Sequence, residues 1–189
     1  RLVSSAASDV YKRQFLYFVF LLVNYQKLKF RKIMYSIWVE SSSKQLTQIK
    51  KVIKTLSEEE NKDYFEPHVT LVTNLNSEHS AMNVFDKISK KRFDITFDTI
   101  QEGTTYFQRL FLTSTDNTNF QNSIIDIEGW PSLWIPHLSL FYGNELPKSY
   151  PSKDFDNLIP VTVTFDTLVL SETGPIVSKW KEITTLFLD

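Results

Sequence analysis

The five residues PHVTL at 67–71 return as PHLSL at 136–140. The chain has three histidines, and two of them sit in these copies. Side chains alternate across a strand, so His68 and Thr70 share one face while Val69 and Leu71 take the other. The same alternation groups His137 with Ser139 and sets Leu138 and Leu140 behind them. Each copy thus presents an imidazole beside a hydroxyl, anchored by two apolar residues. The proline before each histidine removes a backbone donor and stiffens the entry to the strand.

Two imidazoles and two hydroxyls converging on one cleft suit the opening of a cyclic phosphodiester. A base must take a proton from water, and an acid must protonate the departing sugar oxygen. Imidazole, with an ordinary pKa of about 6.5, serves as either near neutral pH. The hydroxyls of Thr70 and Ser139 can donate to the non-bridging phosphate oxygens as charge builds there, a contribution of roughly 2.7–4 kcal/mol for a preorganised donor. No metal or other cofactor is required. Two histidines without acidic neighbours at ligand spacing also make a thin zinc site, which usually has at least three protein ligands. A single His-x-Thr on a strand is ordinarily a satisfied edge residue. The duplication, with Pro before and Leu after both copies, favours catalysis. The third histidine, His79 in NSEHSAMN, lacks these neighbours and reads as a solvated surface residue.

Such groups need a rigid frame, and the composition can build one. Apolar residues make up 42% of the 189 and aromatic residues 14%, which is ample for a packed core. With 21 basic and 22 acidic residues the net charge is −1, which argues against gripping long nucleic acid through many phosphates. The absence of cysteine excludes disulfides, thiolate metal sites and cysteine nucleophiles, and a reducing cytoplasm is the compartment expected.

The amino terminus stands apart. RLVSSAASDVYKRQ has no clear periodicity, and FLYFVFLLV at 15–23 is too short for a spanning helix, which needs about 20 residues. Basic residues follow that run where a signal peptide would place them before it. Residues 1–33 are therefore expected to be a non-native or disordered extension, the first fourteen resembling translated adapter sequence. The alternative is a short membrane-associating arm.

From Met34 onward the pattern is regular. YSIWVE at 35–40 predicts a strand. A helix is expected over 44–60, from the spacing of Leu46, Ile49, Val52, Ile53 and Leu56, with Ser42 or Ser43 as its cap. A strand over 68–73 and a helix over 77–90, capped by Ser77, follow. The alternation of Phe93, Ile95 and Phe97 predicts one strand over 92–100. Gly103 marks a turn before a strand over 105–113. A helix over 117–127 precedes the Gly129-Trp130-Pro131 break. Strands over 136–142, 161–170 and 181–188 complete an α+β chain of two related lobes, each carrying one copy of the motif.

At the paired motifs the sequence resembles the 2H phosphoesterase superfamily. Within it, YSIWVE, FEPHVTL, PHLSLFYG and FDTLVLSETGP followed by Trp180 are most similar to the fungal and plant cyclic nucleotide phosphodiesterases. The resemblance covers residues 34–189. It implies a two-lobed fold of antiparallel sheets with flanking helices around a central cleft. It also implies hydrolysis of 2′,3′-cyclic nucleotides to nucleoside 2′-phosphates, and of ADP-ribose 1″,2″-cyclic phosphate, a by-product of tRNA splicing, to ADP-ribose 1″-phosphate. His68 and His137 would be the acid–base pair, with their order open, and Thr70 and Ser139 the phosphate clamp. Tyr142 and Trp38 would flank the substrate. The expected partner is a small cyclic nucleotide or ADP-ribose cyclic phosphate, taken by a monomer without extended nucleic acid or stable membrane insertion. The alternatives are an RNA-end 2′,3′-cyclic phosphodiesterase and a nucleotide-binding module without turnover.

Overall fold

The computed structural model describes residues 33–116, 135–151, 155 and 157–189. The expected extension, apart from Ile33, and the expected helix over 117–127 lie outside the described residues. Met34–Asp189 form one compact unit. Its strands are β1 (Met34–Glu40), β2 (Val69–Leu75), β3 (Phe93–Phe97), β4 (Thr99–Thr105), β5 (Gln108–Thr113), β6 (His137–Phe141), β7 (Val161–Phe165), β8 (Thr167–Thr173) and β9 (Lys181–Phe187). The described helices are α1 (Thr47–Glu59), entered through a 3-10 turn at Lys44–Leu46, and α2 (Glu78–Phe85). The fold is α+β, and every pairing among the described strands is antiparallel. One sheet of seven strands runs β4-β5-β6-β2-β1-β8-β9, and a second pairs β3 with β7.

The helices form where their stripes and caps predict. Ile49, Val52, Ile53 and Leu56 of α1 are buried at the spacing of one helical face. They join Ile37, Val39, Val69, Leu138 and Leu140 from the large sheet in a single core. Ser43 caps the entry by accepting from the Gln45 amide at 3.2 Å, and Ser77 accepts from the Ser80 amide at 3.2 Å. Helix α2 stops at Phe85, five residues short of its predicted end. The Lys90 ammonium donates to the Phe85 carbonyl at 2.7 Å, which also accepts from the Ile88 amide at 3.3 Å, and Ile88 stays buried beyond the last turn.

Two predicted strands are each cut in two by an aspartate. The strand expected over 92–100 breaks at Asp98 into β3 and β4, and that over 161–170 breaks at Asp166 into β7 and β8. In both cases the first part joins the small sheet and the second the large one. The corners share one construction. Asp98 accepts from the amide and hydroxyl of Thr115, and Asp166 from the amide and hydroxyl of Ser42. Each also accepts from the next residue's hydroxyl, Thr99 or Thr167, at 3.0 Å. Their own amides donate to Thr113 and Glu40 carbonyls at 3.1 Å. The surrounding text is itself duplicated, as TFDTI at 96–100 and TFDTL at 164–168. Both aspartates lie inside runs rich in β-branched and aromatic residues, so a run taken as one strand hides the change of sheet.

Gly103 is not a turn residue. It lies inside β4, and the chain reverses at Tyr106-Phe107 instead. Pairing shifts register between Glu102 and Thr105, and a Cβ on Gly103 would stand 1.8 Å from the Gln108 carbonyl oxygen. Glycine is there because the opposite backbone comes too close for a side chain. Among the described residues, no helix is long and apolar enough to cross a membrane.

Candidate active site

The two motif strands are neighbours at the middle of the large sheet. β2 and β6 pair antiparallel through Val69 and Leu138. Extending that register one residue each way sets His68 across from Ser139 and Thr70 across from His137. Facing residues of an antiparallel pair project to the same side, so all four share one face. Val69 and Leu138, both fully buried, hold the opposite face in the core. The flanking strands repeat the arrangement. Trp38 of β1 faces Thr70, and Phe111 of β5 faces Ser139.

Both imidazoles are fixed through the carbonyl that precedes the motif proline. His68 Nδ1 lies 2.7 Å from the Glu66 carbonyl oxygen, and the Ile135 carbonyl is the backbone acceptor that favours the charged form of His137. A carbonyl only accepts, so the His68 ring donates from Nδ1 and leaves Nε2 as its free base. His68 is 7% exposed, and burial pushes its pKa down to about 4 against the pull of the Glu66 carbonyl, with a charge on His137 pushing the same way. His137 is half-buried and is lowered too, again by burial, with the Ile135 carbonyl opposing. Burial thus disfavours the charged form of both rings, and a charge on His137 would press further on His68.

The hydroxyls differ. Among the described residues none bonds to the Thr70 hydroxyl, which is half-buried on the motif face. Ser139 is buried and donates to the Phe107 carbonyl at 2.9 Å. The Tyr142 hydroxyl neighbours Ser139 and lies 3.4 Å from His68 Nε2, a distance at which little hydrogen-bond energy remains. Burial raises the Tyr142 pKa, so this phenol stays protonated. The Tyr142 ring is stacked on Phe65 at 3.8 Å between centroids, and only 5% of the residue is exposed. Its hydroxyl, more than its ring face, is what the site receives.

Aromatic side chains wall His68. Trp38 lies 4.7 Å from its ring and Trp180 6.2 Å, while the Trp38 indole donates to Glu40 at 2.7 Å. Phe107, exposed at the β4–β5 turn, reaches Tyr142 at 5.2 Å and Trp180 at 5.8 Å. Arg109 locks this turn against the loop after β6, donating to the Gly103 and Gly143 carbonyls at 2.9 and 3.2 Å. Trp38 and Tyr142 stand out in the sequence, but Phe65, Phe107 and Gln108 do not. The last two come from a hairpin whose reach to His137 leaves no trace in spacing. His79 is exposed on α2, away from the motifs. Among the described residues, no three His, Asp or Glu side chains gather as a metal site. A cavity of about 560 Å³ lies along α1, lined by Lys44, Lys51, Val52, Leu56 and Phe155 among others. It includes none of the four motif residues.

A sheet bearing two His-x-Thr/Ser copies on adjacent central strands defines a class, the 2H phosphoesterase fold. The solved structures agree. E. coli LigT complexed with ATP superimposes with a TM-score of 0.56 at 12% identity, over 82% of this chain and 97% of LigT. A second structure, described as a phosphoesterase, gives 0.55 at 11% identity, over 82% of this chain and 98% of its own. E. coli LigT complexed with 3′-AMP gives 0.52 at 11% identity, over 84% and 99%. No curated protein matches the sequence. The model of the cyclic phosphodiesterase-like protein family matches residues 33–128, more than half of the chain. The chain belongs to that family, and with it to the 2H phosphoesterases. The match ends before the second motif, so it is the β2–β6 pairing that ties PHLSL to PHVTL.

Proposed function

We propose that this protein is a metal-independent 2′,3′-cyclic nucleotide phosphodiesterase of the fungal and plant type. It yields nucleoside 2′-phosphates and also opens ADP-ribose 1″,2″-cyclic phosphate to the 1″-phosphate. The observation that carries this reading is the register that lines up His68, Thr70, His137 and Ser139 on one face. The cyclic phosphate lies between the two Nε2 atoms. Thr70 donates to one non-bridging oxygen, and Ser139 turns from the Phe107 carbonyl to donate to the other.

The two environments divide the roles. His68 is the more deeply buried and the more strongly held neutral, which suits the base that takes the proton of the attacking water. His137 is the less buried and gains a proton more readily once the phosphate anion is bound, which suits the acid that protonates the leaving oxygen. Phe107 and Trp180 offer aromatic surface to the base of the nucleotide. The ATP and 3′-AMP complexes of LigT are in keeping with a nucleotide-sized ligand, and the near-neutral charge favours a free nucleotide over an RNA end. The protein acts as a monomer in the cytoplasm.

A phosphorus NMR time course with 2′,3′-cyclic AMP and ADP-ribose cyclic phosphate tests the reading. Turnover is expected to survive EDTA and to fall by about 10²–10⁴ in His68→Ala and in His137→Ala. Loss of activity with chelator, or wild-type rates in both variants, would falsify it. Tight binding of AMP without hydrolysis would instead point to a binding module.

A further inference from the structure

Glu40 closes β1 two residues after Trp38, so the two side chains share the motif face. The Trp38 indole N–H donates to Glu40 Oε1 at 2.7 Å. Extending the β1–β2 register by one residue sets Glu40 across from His68, as Trp38 stands across from Thr70. Trp38 is then the diagonal neighbour of His68, and their ring centroids lie 4.7 Å apart with planes 30° from parallel. Only 5% of Trp38 is exposed, and Trp180 lies 5.9 Å from its ring, so the indole is enclosed. The Glu40 backbone is fixed too, its carbonyl accepting from the Asp166 amide at 3.1 Å.

A base that takes a proton becomes a cation, and buried His68 has little water to meet that charge. Two neighbours can offset the cost. One is the Glu66 carbonyl at Nδ1; the other is the indole face, which attracts a cation within about 6 Å of its centroid. The carbonyl is backbone and already in place. The indole helps only while its face meets the imidazole, and the torsion that sets its tilt is broad, so packing alone holds it loosely. We propose that Glu40 is a positioning residue for His68, fixing through its hydrogen bond the indole face on which the protonated ring rests. This rests on the reading of His68 as the base. The charges that act on the Glu40 carboxyl are Glu182 on β9, Glu66 before β2 and Lys50 on α1. Lys50 is paired with Glu66 at 2.8 Å, and among the described residues Trp38 is the group bonded to the Glu40 side chain.

Two substitutions in the whole chain test this, with proton NMR at pH 7 and kcat and KM measured on 2′,3′-cyclic AMP. The Trp38 indole proton is assigned by its loss in Trp38→Phe. In Glu40→Leu, which has no acceptor, that signal should move upfield and the His68 ring protons downfield as the indole face turns away. The kcat should fall about tenfold at an unchanged KM, since the enclosed indole offers the substrate little surface. Glu40→Gln still accepts through its carbonyl, so it should keep both signals near their wild-type positions and most of the rate. Should Glu40→Leu not fold, Glu40→Ala removes the acceptor without added bulk. A wild-type kcat without the acceptor, or a fall in kcat with the His68 signals unmoved, would overturn the proposal. So would losses in Glu40→Gln as large as those in Glu40→Leu, which would mean that the charge acts on His68 directly. If the wild-type protein hydrolyses no 2′,3′-cyclic AMP, the proposed function fails, and the ring signals still decide whether Glu40 holds Trp38 against His68.

Discussion

His68 pays twice for its place on the motif face. Buried among Trp38, Trp180 and Phe65, it is held neutral, which suits a base but ties stability to pH. Its pKa is pushed from 6.5 down to about 4, so the unfolded chain takes up a proton in that interval and the folded one does not. The contribution is fully present above pH 6.5 and is lost as pH falls toward 4, an interval of order 3 kcal/mol at most. Urea unfolding at pH 7 and at pH 4.5 should show a steeper decline for the wild type than for His68→Gln, which has no such proton to refuse. Parallel declines would place the burial penalty elsewhere. At this scale the sequence was readable. The alternation in PHVTL and PHLSL set out which side chains share a face, and Pro67 and Pro136 marked the entry. The carbonyls that hold the rings, at Glu66 and Ile135, were not readable, because a backbone acceptor has no residue type.

Among the elements, the β4–β5 hairpin does most to shape the site, since it delivers Phe107 and Gln108 and is tied down by Arg109. Its geometry depends on the absence of a side chain at Gly103. Gly103→Ala would drive a methyl against the Gln108 carbonyl, which as backbone cannot step aside. A loss of about 1–3 kcal/mol is expected, with a drop in kcat as the turn shifts, read by thermal unfolding and by turnover. An unchanged melting temperature would mean that the register shift relaxes without cost. The strands themselves were mostly legible from their β-branched and aromatic alternation, and the helices from stripe and cap. The corners at Asp98 and Asp166 were not. The alternation of Phe93, Ile95 and Phe97 reads as one strand extended to Ile100 because period two says nothing about which partner a strand pairs with. The repeat of TFDTI as TFDTL was the available signal, a charged residue kept at the same step of two apolar runs.

Over the whole molecule, equivalent parts occur in pairs: two aspartate corners, two proline-led histidines, and Trp38 and Phe111 facing the two hydroxyl residues. The two sets meet where β2 lies beside β6. There the ladder is thin. β1 pairs with β8 through seven successive residues, Met34 to Glu40, whereas β2 and β6 register only at Val69 and Leu138. A junction with one rung resists shear and opening poorly, in contrast to the long ladders on either side. A phosphate gripped from both strands would act as a clasp across it. The amide protons of Val69 and Leu138 should therefore exchange with deuterium more slowly when a nucleoside monophosphate is bound, while those of β8 hold their rates. On the proposed reaction, a junction held by one rung would let the two motif strands part slightly as a strained five-membered ring gave way to the longer opened ester.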